Sequence, residues 1–157
     1  MVGSMGHALS IAQGIALAQP TRRVWCIDGD GALLMHMGSL VSTAGLGTQN
    51  LVHVLLNNSC HESVGGQRTA ASKNRDGSTG PSFVQIALAA GYSRVYSAGS
   101  RDALQKLNFL AEKEKKGSSF LEITTQVDNA SNKGLPRPKE TLTEFKNAAC
   151  DFLQSAM

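Results

Sequence analysis

Two short apolar runs, each ended by a polar turn, constrain the fold of this chain most. Residues 24–27 read Val-Trp-Cys-Ile and stop at Asp28, and the run at 51–56 stops at Asn57. A short apolar run between turn signals is typical of a strand buried on both faces of a parallel sheet. Helical patterns lie between and around these runs. The alternation predicts an α/β fold, with a parallel sheet that has helices on both faces.

The remaining segments fit the same alternation. The further predicted elements are strands at 94–97 and 120–124 and helices at 5–18, 33–44, 83–90, 100–117 and 141–153. Thr141 and Glu144 have the spacing of a capping box, which marks the start of the last helix. Residues 59–80 are polar and glycine-rich, and we predict a long functional or mobile loop there.

Composition narrows the class of protein. A length of 157 residues predicts one domain, and 41% apolar with 17% charged residues is too apolar for a disordered chain. The net charge of +3 comes from scattered basic residues, which argues against nucleic-acid and membrane partners. Three separated cysteines and the lack of a basic leader or a membrane-length apolar run predict a cytoplasmic protein.

The turns that follow the two apolar runs carry the chemistry. Gly29-Asp30-Gly31 follows the first run, and Asn57-Asn58 directly follows the second. The interval between the two motifs is the length of about one helix and one strand. Parallel strands bind ligands at their carboxyl ends, so we expect the two turns to lie side by side. Carboxylate and amide oxygens suit Mg²⁺, and the backbone N–H groups of the glycines can approach a phosphate. The pair predicts a magnesium-bridged diphosphate, although each motif alone is a common turn.

This pair of motifs resembles the signature of thiamine diphosphate-dependent enzymes of the 2-oxo acid decarboxylase and acetolactate synthase group. The resemblance implies a diphosphate-binding domain whose cofactors are thiamine diphosphate and Mg²⁺. The implied ligands are the side chains of Asp30 and Asn58 and the carbonyl of Cys60 for the metal, and Gly29, Gly31 and Ala32 for the diphosphate.

The first residues resemble a second element of that family. Gly3-Ser4-Met5-Gly6 is similar to its Gly-x-(Ile/Leu/Met)-Gly segment. The resemblance implies that the Gly3 carbonyl accepts a hydrogen bond from the aminopyrimidine. It also implies that Met5, which follows Ser4, supports the cofactor in its bent conformation.

Within the family, the chain resembles the phosphonopyruvate decarboxylases over most of its length. The stretch His61-Glu62-Ser63-Val64-Gly65-Gly66-Gln67 carries the most specific part of the resemblance. It implies decarboxylation of phosphonopyruvate to phosphonoacetaldehyde, with His61, Ser63 and Gln67 as substrate contacts. Arg68 stands where that subfamily tends to have proline, and residues 73–80 form a longer segment than expected. Sulfopyruvate or another 2-oxo acid therefore stays open as the substrate.

The family also uses a pyrimidine-binding domain whose glutamate activates the cofactor, and nothing in this chain resembles that domain. We expect a single diphosphate-side domain over residues 1–157, truncated at its N-terminus, with no catalytic residue of its own and no turnover alone. Its partners would be a pyrimidine-binding domain or subunit and further copies of itself, through an apolar face around Met5, Leu9 and 35–37. A plain nucleotide-binding module and a non-catalytic fragment are the alternatives; the first lacks a G-x-G-x-x-G motif after 24–27.

Overall fold

The computed structural model describes residues 4–72, 80–99, 101–112, 117–126 and 138–155. The chain divides next to Val127 into two compact units, and all the described strands lie in the first. In the second unit, the described residues contain a helix at Leu142–Gln154. The single domain expected over residues 1–157 stays a prediction.

Helices and strands alternate along the described ranges. The helices are α1 (Ala8–Ala18), α2 (Asp30–Met35), α3 (Gly38–Gly45), α4 (Phe83–Ala90), α5 (Ala103–Glu112) and α6 (Leu142–Gln154). The strands are β1 (Val24–Gly29), β2 (Leu51–Asn57), β3 (Cys60–His61), β4 (Gln67–Arg68), β5 (Arg94–Gly99) and β6 (Ser119–Thr124), with a 3₁₀ turn at Glu62–Val64. Within the part of the chain that is described, no helix has the length and apolar character that a membrane crossing needs.

The main sheet has four parallel strands in the order β1, β2, β6, β5. β1 and β2 run in register, so that Gly29 at the end of β1 pairs with Leu56 near the end of β2. β3 and β4 form a separate antiparallel pair. The carboxyl ends of β1 and β2 therefore meet at one edge of the main sheet.

Helices pack against both faces of this sheet. On one face α1, α3 and α4 contribute Leu9, Leu40 and Phe83, all fully buried, to a first core. On the other face Leu110 of α5 packs with Val54 of β2 in a second core. Successive residues of a strand point to opposite faces, so β2 supplies both cores in alternation. The predicted α/β fold, with helices on both faces of a parallel sheet, is confirmed.

Burial of β1 on both faces was expected, and that prediction is wrong. Cys26 lies in the first core, whereas the side chains of Trp25 and Ile27 are 36% and 65% exposed. Among the described residues, the second core has members from β2, β5 and β6 but none from β1. β1 is the edge strand, and α5 packs over its neighbours, so the alternate side chains of β1 face outward.

Two of the predicted helices differ from the structure for reasons that the backbone shows. The helix expected at 33–44 is two helices, because the backbone leaves the helical conformation at His36, between α2 and α3. The helix expected from Met5 starts at Ala8, since Gly6 has a φ of +90° that a helix does not allow. At the other end of the chain, the Thr141–Glu144 capping box that begins α6 is confirmed.

The expected apolar face around the first helix is only partly present. Leu9 is fully buried in the first core, so its assignment to an exposed face is wrong. Met35, at the end of α2, is 63% exposed, and Met5 is half-buried. An α1 that packs against β1 and α3 points Leu9 into the core, which periodicity alone did not distinguish.

Candidate functional site

The two predicted turns lie at adjacent strand ends. β1 passes into α2 between Gly29 and Asp30 without an intervening loop, and β2 ends at Asn57. Because β1 and β2 pair up to Gly29 and Leu56, Asp30 and Asn58 follow neighbouring strands at the same edge. The structure thus brings the two motifs together as their spacing suggested.

Asp30 is the first residue of α2 and is 1% exposed. Its Oδ2 accepts a hydrogen bond of 2.6 Å from the hydroxyl of Thr69, which is also buried. A buried carboxylate needs such partners because its desolvation is costly. Thr69 could not be predicted from the sequence, since the two residues are far apart in the chain and belong to no common motif.

The two asparagines have different partners. Asn57 donates to Oε1 of Glu122 on β6 at 2.7 Å, and its Oδ1 accepts from the backbone N–H of Ser59 at 3.0 Å. Asn58 donates to Oε2 of Glu62 at 2.7 Å, and its Oδ1 accepts from the N–H of Cys60 at 3.0 Å. These bonds fold the chain sharply after β2, with Ser59 at a φ of 59°. The amide oxygen of Asn58 is fixed and keeps a second lone pair for a ligand.

Residues 59–72, which belong to the predicted long loop, contain two short strands and a 3₁₀ turn. β3 and β4 form a hairpin in which Cys60 pairs with Arg68 and His61 pairs with Gln67. Between the strands, Gly65 has a φ of +118°, which side-chain-bearing residues rarely adopt. Residues 73–79 of the same predicted loop, and the departure noted there, lie outside the described residues.

The hairpin places one of the predicted substrate residues against the site. A Cβ built on Gly31 would lie 2.6 Å from Cε1 of His61, so the imidazole packs directly on the backbone of α2. A side chain at position 31 would therefore displace the His61 imidazole. Ser63, Gln67 and Arg68 are exposed on the hairpin.

The predicted N-terminal element lies beside α2. A Cβ on Gly6 would be 3.1 Å from the carbonyl oxygen of Ala32 and 3.2 Å from Cβ of Met35, so this turn is in close contact with the helix. Ser4 is half-buried, and its carbonyl accepts from the N–H of His7 at 3.1 Å. Gly3, expected to bind the aminopyrimidine, lies outside the described residues.

A buried polar pair lies behind the turn. Oδ1 of Asp28 accepts from the N–H of Gly29 at 3.0 Å, and Oδ2 lies 3.9 Å from Nε2 of His53, too far for a hydrogen bond. Burial lowers the pKa of His53 to about 3, so its imidazole is neutral at pH 7. Burial also raises the pKa of Asp28, against the opposing effect of the Gly29 hydrogen bond.

The described residues contain no group of three or more His, Cys, Asp and Glu side chains that could hold a metal. The predicted metal ligands are of another kind: one carboxylate, one amide oxygen and one main-chain carbonyl. The thiol of Cys60 has no part in that set. Burial raises the pKa of the Cys26 thiol to about 12, so Cys26 is not a thiolate nucleophile.

Comparison with known proteins agrees with this geometry. Residues 1–123 match the family described as thiamine pyrophosphate enzyme, C-terminal TPP binding domain. The chain belongs to this family. The matched segment includes β1, β2, β5, the hairpin and all the predicted cofactor and metal positions.

Two curated relatives are phosphonopyruvate decarboxylases. The one from Streptomyces viridochromogenes is 37% identical over 92% of this chain and 34% of its own length, and the one from Streptomyces hygroscopicus is 43% identical over 66% and 24%. The sulfopyruvate decarboxylase subunit beta of Methanothermobacter thermautotrophicus is 51% identical over 45% of this chain and 38% of its own length. The chain thus spans about a quarter to two fifths of the length of these three relatives.

A solved structure shows the same fold. The 2-oxoglutarate:ferredoxin oxidoreductase from Magnetococcus marinus superimposes with a TM-score of 0.64, over 96% of this chain and 58% of that chain. Its sequence identity is 20%, so the likeness concerns the fold.

Proposed function

We propose that this chain is the diphosphate- and Mg²⁺-binding part of a thiamine diphosphate-dependent decarboxylase that converts phosphonopyruvate to phosphonoacetaldehyde and carbon dioxide. The observation that carries the proposal is the meeting of Asp30 and Asn58 at neighbouring strand ends in a member of this cofactor's family. The relative from S. viridochromogenes, matched over 92% of the chain, supports the substrate.

The residues present fit the cofactor. Asp30 and Asn58 supply hard oxygen ligands at one edge of the sheet, as Mg²⁺ requires, and the carbonyl of Cys60 would be the third. A Cβ on Gly29 would meet no atom within 4 Å, so the turn offers open space next to its backbone. The diphosphate would bind there, to the N–H groups of Gly31 and Ala32.

When bound, thiamine diphosphate supplies a nucleophilic carbon and an electron sink for the electrons left by departing carbon dioxide. The residues of this chain hold and orient it. Asp30, Asn58 and Cys60 fix the metal, while Ser4 and Met5 flank the cofactor from the turn that packs on α2. The Gly3 carbonyl is proposed as an acceptor for the aminopyrimidine.

The acid that activates the pyrimidine is proposed to come from another domain or subunit. Glu62 and Glu122, which lie next to the site, are each hydrogen-bonded by an asparagine side chain. Glu144 belongs to the capping box of α6. The description of one relative as a subunit beta supports a partner subunit. We further propose a homo-oligomer in the cytoplasm, where the three free thiols would stay reduced.

The hairpin is proposed to recognise the anionic tail of the substrate. His61 faces α2 at Gly31, and Ser63 and Gln67 are exposed nearby in the same hairpin. Sulfopyruvate is the second candidate substrate, because the M. thermautotrophicus relative is 51% identical over its matched segment. A competition assay between the two acids, on a complete enzyme that carries this hairpin, would decide. Equal preference for plain pyruvate would contradict a dedicated anion site.

Calorimetric titration tests the cofactor assignment. We expect the chain to bind thiamine diphosphate only when Mg²⁺ is present, and Asp30→Ala to abolish that binding while the fold is kept. Asp151→Ala, which removes an exposed carboxylate on α6, is the matched control and should bind as the unmodified chain does. Unchanged Mg²⁺ dependence in the Asp30 variant would show that the metal assignment is wrong.

A further inference from the structure

The hydrogen bond between Thr69 and Asp30 is the most buried polar contact at the site. Thr69 is 3% exposed and Asp30 is 1% exposed. The distance from Oγ1 to Oδ2 is 2.6 Å, within the range of a hydroxyl that donates to an ionised carboxylate. Such charge-assisted bonds are stronger and more directional than neutral ones, so this bond restricts the rotation of the Asp30 carboxylate.

The backbone of Thr69 is itself fixed on both sides. Its N–H donates to the carbonyl of Ser59 at 3.0 Å. Its carbonyl accepts from the N–H of Ser72 at 3.1 Å and from the hydroxyl of Ser72 at 2.8 Å. Thr69 directly follows β4, so the returning strand of the hairpin delivers this hydroxyl to Asp30.

These contacts join the two segments that carry the predicted metal ligands. The side chain of Thr69 holds Asp30 at the start of α2, and its backbone holds Ser59, which lies between Asn58 and Cys60. One residue thereby fixes the position of both segments relative to each other.

We propose that Thr69 is a positioning residue for the metal. Its hydroxyl binds Oδ2 of Asp30, which leaves Oδ1 to bind the ion. Its N–H binds the carbonyl of Ser59 and so sets the distance between the Asn58–Cys60 segment and Asp30. Partners of this kind, which bind a ligand rather than the metal, orient metal ligands and raise the affinity of the site. The inference rests on the proposed function, because it requires Asp30 to be a metal ligand.

The test measures binding of Mn²⁺, used as a paramagnetic probe of the Mg²⁺ site, to the full chain with millimolar thiamine diphosphate. Thr69→Val keeps the shape of the side chain and removes the hydroxyl. We expect it to weaken Mn²⁺ binding by about 10- to 100-fold. Thr69→Ser keeps the hydroxyl and should restore binding. Thr48→Val is the matched control, because Thr48 is similarly buried before the opposite end of β2 and its hydroxyl has no hydrogen-bond partner in the described part of the chain.

Urea unfolding of each variant separates positioning from a loss of fold. If Thr69→Val does not fold, Thr69→Ala and Thr69→Ser replace it, since these two differ only by the hydroxyl. A folded variant without the hydroxyl that binds Mn²⁺ as tightly as the unmodified chain would overturn the inference. So would weakening of equal size in the serine variant, because that result assigns the effect to the lost methyl group.

Asp30→Asn distinguishes the two levels of the argument. If this variant loses Mn²⁺ binding while Thr69→Val keeps it, the proposed function stands and the role of Thr69 is wrong. If Asp30→Asn binds Mn²⁺ like the unmodified chain, or the unmodified chain binds none, the proposed function fails and the inference fails with it.

Discussion

Protonation of His53 should make the free energy of unfolding of the first unit, which contains the sheet, strongly pH-dependent. His53 lies on β2 with no exposed surface, and neither of its ring nitrogens has a hydrogen-bond partner among the described residues. Burial lowers its pKa from 6.5 to about 3. Between pH 6.5 and about pH 3, the histidine of the unfolded chain is protonated whereas that of the folded chain stays neutral. The free energy of unfolding is therefore highest above pH 6.5 and falls as the pH decreases through this interval.

The magnitude follows from the two pKa values. At pH 5 the pH lies about 1.5 units below the pKa of the unfolded histidine. At roughly 1.4 kcal/mol per unit, protonation stabilises the unfolded state by about 2 kcal/mol. Any folded-state pKa below about 4 gives the same figure at this pH, because the folded imidazole stays neutral. Such a loss is a large share of the 5–15 kcal/mol that is typical of a domain of about this size.

The assay is urea unfolding at pH 7.5 and pH 5.0, followed by the fluorescence of Trp25, the single tryptophan, which lies on β1 beside β2. His53→Gln removes the titrating ring, so the difference in unfolding free energy between the two pH values should shrink by about 2 kcal/mol. His36→Gln, at an exposed histidine, is the control. An equal pH dependence in the unmodified chain and the His53 variant would refute the reasoning.

Three further outcomes are expected. Gly31→Ala should weaken Mg²⁺-dependent binding of thiamine diphosphate in calorimetry, because its Cβ displaces the His61 ring from α2, and His61→Ala in the same chain should relieve the collision and recover part of the affinity. Phe83→Ala should lower the unfolding free energy by about 3–5 kcal/mol in urea, since Phe83 is fully buried, whereas Leu88→Ala, at a residue 56% exposed on the same helix, should cost less than about 1 kcal/mol. The purified chain alone should release no aldehyde from phosphonopyruvate, and release should begin when a pyrimidine-domain partner is added; turnover by the chain alone, lost in Asp30→Ala, would contradict this.

The part of the site that sequence predicted is the part encoded locally. Gly29-Asp30-Gly31 and Asn57-Asn58 each follow a strand, and parallel pairing of neighbouring strands brings such turns to one edge whatever the details of packing. The α/β fold follows from the same alternation. Both predictions depend on the order of elements along the chain and on the geometry of parallel sheets. Short motifs are enough to indicate that order.

The partners of these residues were not predictable in the same way. Thr69 bonds to Asp30, and Glu122 bonds to Asn57, across long separations in sequence. A threonine after a hairpin and a glutamate on a strand have no local signature, so their roles appear only when the chain is folded. The exposure of Trp25 was unpredictable for a similar reason, because an apolar run does not indicate which faces of the strand a helix will cover.

The direct passage from β1 into α2 has a consequence for changes in chain length. Gly29 is the last strand residue and Asp30 the first helical one, and both Asp30 and Leu33 of α2 are 1% exposed. A residue inserted at this junction would turn the helix by about 100° about its axis and carry both side chains out of their buried positions. No loop is present to absorb the change. Insertions and deletions should therefore be absent at this junction in functional relatives, and a library of insertions scanned along β1 and α2 should show a gap there.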